Sequence, residues 1–272
     1  MRVRELCLVL TLQWLGGEVR AQESDTAAAP ETVDQAIALG IVGNEARDPE
    51  TAFRYFEAAI ALSPTDYEAN WRAAQALVDM GKQTPDSVKS PHRDSLYARA
   101  EALARVAVAT DPDGTDGHYI LAAAIGRASL TKSKKERVRR AAEIRSEALR
   151  AIELDPGNDR AYHVLGRWNA EVERLSGFTR FFAKTFLGAG VFGAASWEGA
   201  VQNMEKATDL APDNIYHHLD LALVYLDLGR YTEARQQLNL VLELPVFDVS
   251  DPTHKETATY FLTRIEGKKD KD

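Results

Sequence analysis

The chain has 272 residues, of which 45% are hydrophobic, and this share is enough for a packed core. Its formal net charge of −8 makes it a poor candidate for general nucleic-acid binding. The only cysteine, Cys7, lies in an N-terminal segment that we expect to be removed, so disulfides, thiol nucleophiles and cysteine metal sites are excluded from the mature chain.

The first 21 residues have the order of a secretory signal peptide, with charge, an apolar run and then small residues. Arg2 and Arg4 precede an apolar run over residues 6–15, and cleavage is predicted after Ala21. The run is too short to cross a bilayer comfortably, so we predict no stable transmembrane span in the mature chain. We expect a periplasmic or secreted protein. An uncleaved anchor and an organelle presequence are the alternatives.

The rest of the chain divides by composition. Residues 22–31 are small and polar, which indicates a flexible linker, and residues 32–267 form the predicted helical domain. Within it, prolines and polar residues over residues 81–95 predict a surface loop. Residues 251–266 are predicted to form a terminal helix, and residues 268–272 a charged tail.

One turn recurs along the domain. A Leu-Asp-Pro-Gly-Asn turn around Pro156 has close counterparts around Pro64, Pro112 and Pro212. Proline ends the preceding helix, because it lacks the amide donor and disfavours a helical residue before it. Residues at fixed distances from each proline are small, which lets the helices of a hairpin approach closely. They are Ala59, Ala107, Ala151 and Ala207 five residues before the proline, and Ala74, Ala122, Gly166 and Ala222 ten residues after it.

The helix before each proline also has an apolar stripe at helical spacing. The whole pattern resembles the tetratricopeptide repeat, whose period is about 34 residues. Residues 216–245 agree best with that repeat, and the longer gaps between the earlier prolines indicate insertions. We therefore predict an all-α fold, a right-handed α-solenoid of tetratricopeptide-like helix hairpins with insertions and a C-terminal capping helix.

The insertion over residues 171–197 is rich in phenylalanine. Several of these side chains share one face of a predicted helix, which the glycines at residues 188–190 then end. We expect this helix to pack back onto the solenoid and add to its core. The alternative is an apolar lid or a membrane contact. The residues of that alternative are Phe178, Phe181, Phe182 and Phe186.

Three segments carry a more specific resemblance: HVLGRW at residues 163–168, EVERLSGFTRFFAKTFLG at residues 171–188, and ASWEGAVQNMEKATDLAPDN at residues 195–214. Together they resemble the regulator-of-microtubule-dynamics group of tetratricopeptide proteins and its bacterial relatives, over roughly residue 69 to the C-terminus. Eukaryotic members of that family are associated with microtubules and organelle membranes. Because this chain carries what looks like a secretory leader, those partners are not carried across. The resemblance implies the fold and an adaptor-type role.

Nothing in the sequence indicates catalysis or a metal. His217 and His218 are adjacent, so they point to different helix faces and cannot chelate as an i, i+4 pair would. Nucleophile motifs, phosphate-binding glycine loops and the HExxH zinc motif are absent. We therefore predict a non-enzyme without a cofactor. A basic stretch is interpreted as a solvated helical face rather than a site for an anionic partner. It comprises Lys132, Lys134, Lys135, Arg137, Arg139 and Arg140.

The repeat phase also predicts a ligand-binding groove. The first helix of each tetratricopeptide hairpin lines the concave surface, and the residues seven and eleven positions after each proline face it in this phase. Arg167 among them could bind a carboxylate of an extended peptide through its bidentate fork. The alternative is that these side chains fill the inside of a tightly wound stack; Trp168 is one step off phase and is expected in the core. The predicted groove residues are Trp71, Gln75, Tyr119, His163, Arg167, Leu219 and Leu223.

These observations predict an exported, non-catalytic binding module or adaptor that recognises a protein or peptide in its concave groove. The alternative is a carrier of an apolar ligand such as a lipid, which would use the groove and the phenylalanine-rich insertion. A third hypothesis is a purely structural subunit of an envelope assembly. No nucleic-acid partner is expected.

Overall fold

The computed structural model describes residues 30–175 and 193–271, and every regular element within these ranges is helical. This confirms the predicted all-α solenoid. The predicted signal peptide and most of the linker lie outside the described residues. The eleven described α-helices are α1 (Val33–Glu45), α2 (Pro49–Leu62), α3 (Tyr67–Lys82), α4 (Pro91–Thr110), α5 (Thr115–Ala128), α6 (Lys134–Leu154), α7 (Asp159–Arg174), α8 (Trp197–Leu210), α9 (Ile215–Leu228), α10 (Tyr231–Glu243) and α11 (Asp251–Arg264).

The helices pack as successive antiparallel hairpins. Helices α1 and α2, α3 and α4, α5 and α6, α7 and α8, and α9 and α10 form the pairs, and each hairpin packs on the next. Helix α11 packs on α10 and α9 and so covers the C-terminal end of the stack, close to where the terminal helix was predicted. None of the helices within these residues combines the length and the hydropathy needed to span a bilayer.

The recurring proline turns share one hydrogen-bonding pattern. The residue before each proline donates its N–H to an alanine carbonyl four residues earlier, which ends the helix at the same place in each repeat. These bonds join Ser63 to Ala59 (2.9 Å), Asp111 to Ala107 (2.9 Å), Asp155 to Ala151 (2.9 Å) and Ala211 to Ala207 (3.0 Å). After three of the turns, an Asp or Asn side chain caps the next helix by accepting from its first backbone amides. The caps are Asp66, Asn158 and Asn214.

The small residues predicted at the hairpin contacts lie in the tightly packed interior. All seven of the alanines in that set are fully buried. Gly166 of α7 approaches α8 so closely that a Cβ atom there would lie 2.8 Å from the Cγ atom of Met204. The positions that the proline spacing predicts for close helix contacts are therefore the positions at which the helices pack.

A second repeated contact was not predicted. Six residues after the proline, a side-chain N–H donates to the proline carbonyl and closes the turn. The donors are Asn70 to Pro64 (3.1 Å), His118 to Pro112 (2.9 Å) and His218 to Pro212 (2.7 Å). His118 and His218 thus have structural partners, which accounts for two of the six histidines of the chain.

The predicted loop over residues 81–95 is shorter in the structure. Helix α3 continues to Lys82, and α4 begins at Pro91 after Ser90, whose hydroxyl accepts from the backbone N–H of Arg93 (3.2 Å). The buried guanidinium of Arg93 donates to the carbonyls of Pro85 (2.7 Å) and Val88 (2.9 Å). The loop is therefore held from within by one buried cation.

The predicted basic face is only partly a solvated one. Lys132, Lys135 and Arg139 are exposed. Arg140 instead turns inward, where it donates to the Ser129 hydroxyl (2.8 Å) and pairs with Glu101 of α4. This residue ties α6 to the preceding hairpin.

Two glycines provide a test of the helix contacts. Gly81→Ala should lower the free energy of unfolding by about 1–2 kcal/mol, because a Cβ atom there would lie 2.2 Å from the Tyr97 ring, and overpacking outweighs the gain in helix propensity. Gly126→Ala is the matched control, since the new Cβ atom would meet only a methyl group of Ile144 at 3.9 Å. It should stabilise the protein by up to about 1 kcal/mol. Urea unfolding of both variants measures the difference, and equal losses would contradict this packing.

Candidate binding site in the concave cavity

A cavity of about 1400 Å³ lies along the first helices of successive hairpins. Its walls come from α3, α5 and α7, from the start of α9, and from the loop that leads into α11. On α3, for example, Gln75, Val78, Asp79 and Lys82 line it at helical spacing. The volume exceeds that of many small-molecule pockets and suits an extended segment of chain.

Four of the seven predicted groove residues line this cavity, namely Gln75, Tyr119, His163 and Arg167. Trp71 is only 8% exposed and packs in the hydrophobic core with Ala74 and Leu77. Leu219 is 4% exposed and lies in the core of the last repeats. Leu223 is half-buried and also lies away from the cavity lining. The cavity reaches α9 at its start, where Ile215, Tyr216 and His217 line it, and further along α9 packs against α11.

One wall of the cavity is apolar. Ile144, Val164, Trp168 and Val172 line it. Trp168 is also buried, and its indole N–H donates to the Ala141 carbonyl (2.7 Å), so it is both a core and a wall residue. The phenylalanines proposed as a lid or membrane contact, at positions 178, 181, 182 and 186, lie outside the described residues.

The cavity is also bordered by a polar group that we call the Tyr216 cluster: Arg127, His163, Arg167, Tyr216 and Asp220. All of its members except Asp220 line the cavity. The Tyr216 hydroxyl accepts hydrogen bonds from Arg127 (2.9 Å) and from Arg167. Arg167 also lies 3.2 Å from Asp220 Oδ2, and His163 Nε2 donates to the same oxygen (2.9 Å). The cluster therefore joins α5, α7 and α9, although its members are up to 93 residues apart in the chain.

Residues of α11 and α3 also contact the Tyr216 ring. His254 of α11 stacks on it with ring centroids 4.9 Å apart. His163 of α7, already part of the cluster, meets the ring edge to face at 4.5 Å. The ammonium of Lys82, at the end of α3, lies 5.4 Å from the ring centroid and pairs with Asp79 (2.9 Å). The first helices of four hairpins and the terminal helix thus meet around one tyrosine.

Burial and charge set the protonation states in the cluster. Burial lowers the pKa of His163 to about 4, against a weaker opposing effect of Asp220, so the imidazole is neutral at neutral pH. Burial alone would raise the pKa of Asp220, but Arg167 and His163 outweigh it and lower that pKa. The result is a buried carboxylate held by one cation and one neutral donor.

A second polar group lies beside the first. His217 Nε2 donates to Asp159 (2.7 Å), and the Tyr119 hydroxyl donates to Gln75 (2.9 Å). The guanidinium of Arg160 lies over the Tyr119 ring, 4.7 Å from its centroid. Among the residues that the structure describes, no three His, Cys, Asp or Glu side chains converge as a metal site. The arrangement offers hydrogen bonds and charge, which is the chemistry of binding.

Sequence reasoning missed Arg127, Tyr216 and Asp220. One signal was available: Asp220 interrupts the apolar run from Leu219 to Leu226, and a buried charge inside such a run requires a partner. The identity of the partners depends on contacts between distant repeats, which the repeat phase alone does not give.

Comparison with known proteins bears out the resemblance seen in the sequence. The sequence model described as regulator of microtubule dynamics protein 1-3 matches residues 34–266. Regulator of microtubule dynamics protein 3 of Rattus norvegicus is 27% identical over 176 residues, which is 64% of this chain and 36% of that protein. The protein 3 of Xenopus laevis is 27% identical over 190 residues, or 70% of this chain and 40% of its own. The chain thus spans less than half the length of these relatives.

A solved structure shows the same fold. A thermophilic TPR protein of Thermus thermophilus superposes with a TM-score of 0.60 at 19% identity, over 84% of this chain and all of that one (100%). At this identity the similarity concerns the fold and not the ligand.

Proposed function

The chain belongs to the regulator of microtubule dynamics protein 1-3 family, and we propose that it is a non-catalytic protein-binding module that takes a protein or peptide segment into its concave cavity. The cavity is the observation that carries this proposal, because it runs along the first helices of successive hairpins and combines an apolar wall with hydrogen-bonding groups. The leader sequence adds the proposal that the module acts in the periplasm or outside the cell.

The mixed lining favours a peptide over a purely apolar ligand. Gln75, Arg160 and the Tyr216 cluster offer both donors and acceptors to a polypeptide backbone, while Val164 and Trp168 offer contacts to apolar side chains. Extended peptides are recognised through this combination of main-chain hydrogen bonds and side-chain pockets.

Filling the cavity tests the proposal. Ala123 of α5 is half-buried and lines the cavity, so Ala123→Phe should weaken partner binding by about tenfold or more through a steric clash. Ala98→Phe is the control. Ala98 is exposed on α4, which is the second helix of its hairpin and contributes no residue to the cavity lining. A partner would be identified by crosslinking in cells, and its affinity for the purified wild type and both variants measured alongside thermal unfolding. Equal binding by the three proteins, with unchanged stability, would contradict a role for the cavity.

A further inference from the structure

We propose that Arg127, Arg167 and Tyr216 form a site for a carboxylate of the bound peptide, and that Phe247 contacts an apolar side chain next to that carboxylate. The inference rests on the proposed peptide-binding function and specifies the chemistry of the ligand. Nothing in the family resemblance assigns a role to these four residues.

The first argument is an excess of hydrogen-bond donors at one point of the cavity. The Tyr216 oxygen accepts from both Arg127 and Arg167, so its two lone pairs are used. Its own proton has no acceptor within the described part of the chain. Each guanidinium also has five N–H donors, and most of these are without a partner among the described residues. An oxygen anion placed here would accept from all three side chains.

The acids nearby do not fill this role. Asp220 is 7% exposed and already shared between His163 and Arg167. Asp86 meets Arg127 at 3.2 Å from an exposed position on the α3–α4 loop, and Asp79 is engaged by Lys82. Each of these acids pairs with one cation. The Tyr216 hydroxyl and the remaining N–H groups of Arg127 and Arg167 therefore stay available to a ligand. A carboxylate suits paired guanidinium groups because charge-assisted hydrogen bonds to it are short and strong.

The second argument is Phe247, which lines the same cavity although 85% of its surface is exposed. The loop that carries it is held by hydrogen bonds: the N–H groups of Phe247 and Asp248 both donate to the buried Asp251 carboxylate, at 2.8 and 2.6 Å. The Phe247 ring therefore adds an accessible apolar contact surface to the lining of the cavity.

The donor site at Tyr216 and the loop that carries Phe247 are linked by a chain of contacts. Asp251, which holds the Phe247 loop, lies 3.5 Å from His254, and His254 stacks on Tyr216. We expect a peptide whose carboxylate reaches Tyr216 to place a neighbouring side chain against Phe247. The expected ligand class is a peptide with an acidic residue near an apolar one.

Short fluorescein-labelled, alanine-rich peptides test this inference. Each carries one Glu and one Leu at varied spacing, with matched peptides that have Gln for Glu or Ala for Leu. For the wild type, the best Glu peptide should bind about tenfold more tightly than its Gln counterpart, which is the size expected for a hydrogen bond to a charged group. Tyr216→Phe should reduce that difference by the share that the hydroxyl contributes, since it deletes the hydroxyl, keeps the ring and leaves both guanidinium groups in place. Phe247→Ser should weaken the Leu peptide and leave the Ala peptide unchanged.

Tyr225→Phe is the matched control, because Tyr225 lies on the same helix and its hydroxyl donates to Glu205 (2.7 Å) away from the cavity lining. It should keep the preference for Glu. Arg127→Gln is the second variant, and it should remove most of the preference because it deletes one of the two guanidinium charges.

The remaining outcomes separate this inference from the function on which it rests. Equal binding of Glu and Gln peptides would overturn the carboxylate site and leave peptide binding intact. Binding of inorganic phosphate or of phosphatidylglycerol vesicles through Tyr216, with no peptide preference, would assign the site to phosphate groups and overturn the peptide class. If no peptide of either kind binds, the carboxylate site is overturned, and the proposed function fails only if Ala123→Phe also leaves partner binding unchanged.

Discussion

Replacing Asp220 with alanine should lower the free energy of unfolding by about 3 kcal/mol, because it leaves His163 and Arg167 beside a buried position without their shared acceptor. The estimate is at the lower end for a broken buried pair, since the Arg167 side chain is 37% exposed and is partly screened by water. Urea unfolding at neutral pH, followed by circular dichroism, measures the loss.

Asp227 is the control on the same helix. It pairs with Arg174 of α7, as Asp220 pairs with Arg167, but the side chains of both members of this pair are about one-third exposed, at 34% and 35%. Asp227→Ala should therefore cost less than about 1 kcal/mol. Asp220→Asn should fall between the two, because the amide oxygen can still accept from His163 while the charge is lost. Similar small losses for all three variants would show that the Tyr216 cluster does not hold α7 and α9 together.

The parts of the structure that sequence reasoning predicted are those governed by local periodicity. Proline cannot continue a helix past its first turn, and close helix packing requires a small residue at the contact, so Ala107 and Gly166 could be placed from spacing alone. The same phase placed Gln75, Tyr119 and Arg167 on the cavity side, because one face of each first helix points the same way in successive repeats.

The phase was insufficient wherever the stack departs from a regular repeat. Leu219 has the spacing of a groove residue, but α11 packs on α9, and Leu219 lies in the core instead. Trp71 likewise packs inward against α3 and α5 residues. The contact between Arg127 and Tyr216 spans 89 residues and joins the third and fifth hairpins, which are not neighbours in the chain. A contact between non-successive repeats has no local sequence signal.

The stability of the protein should also fall as the pH is lowered, and His163 should be a main cause. Its pKa is lowered to about 4 in the folded protein, whereas an unfolded histidine titrates near 6.5. Between these values the unfolded state binds more protons than the folded state, so acidification favours unfolding. From about pH 7.5 to about pH 5 this one residue should account for about 2 kcal/mol of lost stability. Asp220, whose folded pKa is lowered, contributes a further loss only below about pH 4.

The His163→Gln variant isolates this contribution, because glutamine can still donate to Asp220 but does not titrate. Between about pH 7.5 and about pH 5, the free energy of unfolding of this variant should fall by about 2 kcal/mol less than that of the wild type. The other histidines, including His217 whose ring centroid lies 4.7 Å from that of His163, are present in both proteins, so the comparison concerns position 163 alone. Equal slopes would mean that burial and Asp220 cancel at His163, so that its pKa is the same in the folded and unfolded states. A wild type that loses less stability than His163→Gln on acidification would mean that Asp220 holds His163 as an imidazolium. In that case the carboxylate outweighs burial, and the cluster is an ion triad of two cations on one acid rather than a single ion pair with a neutral donor.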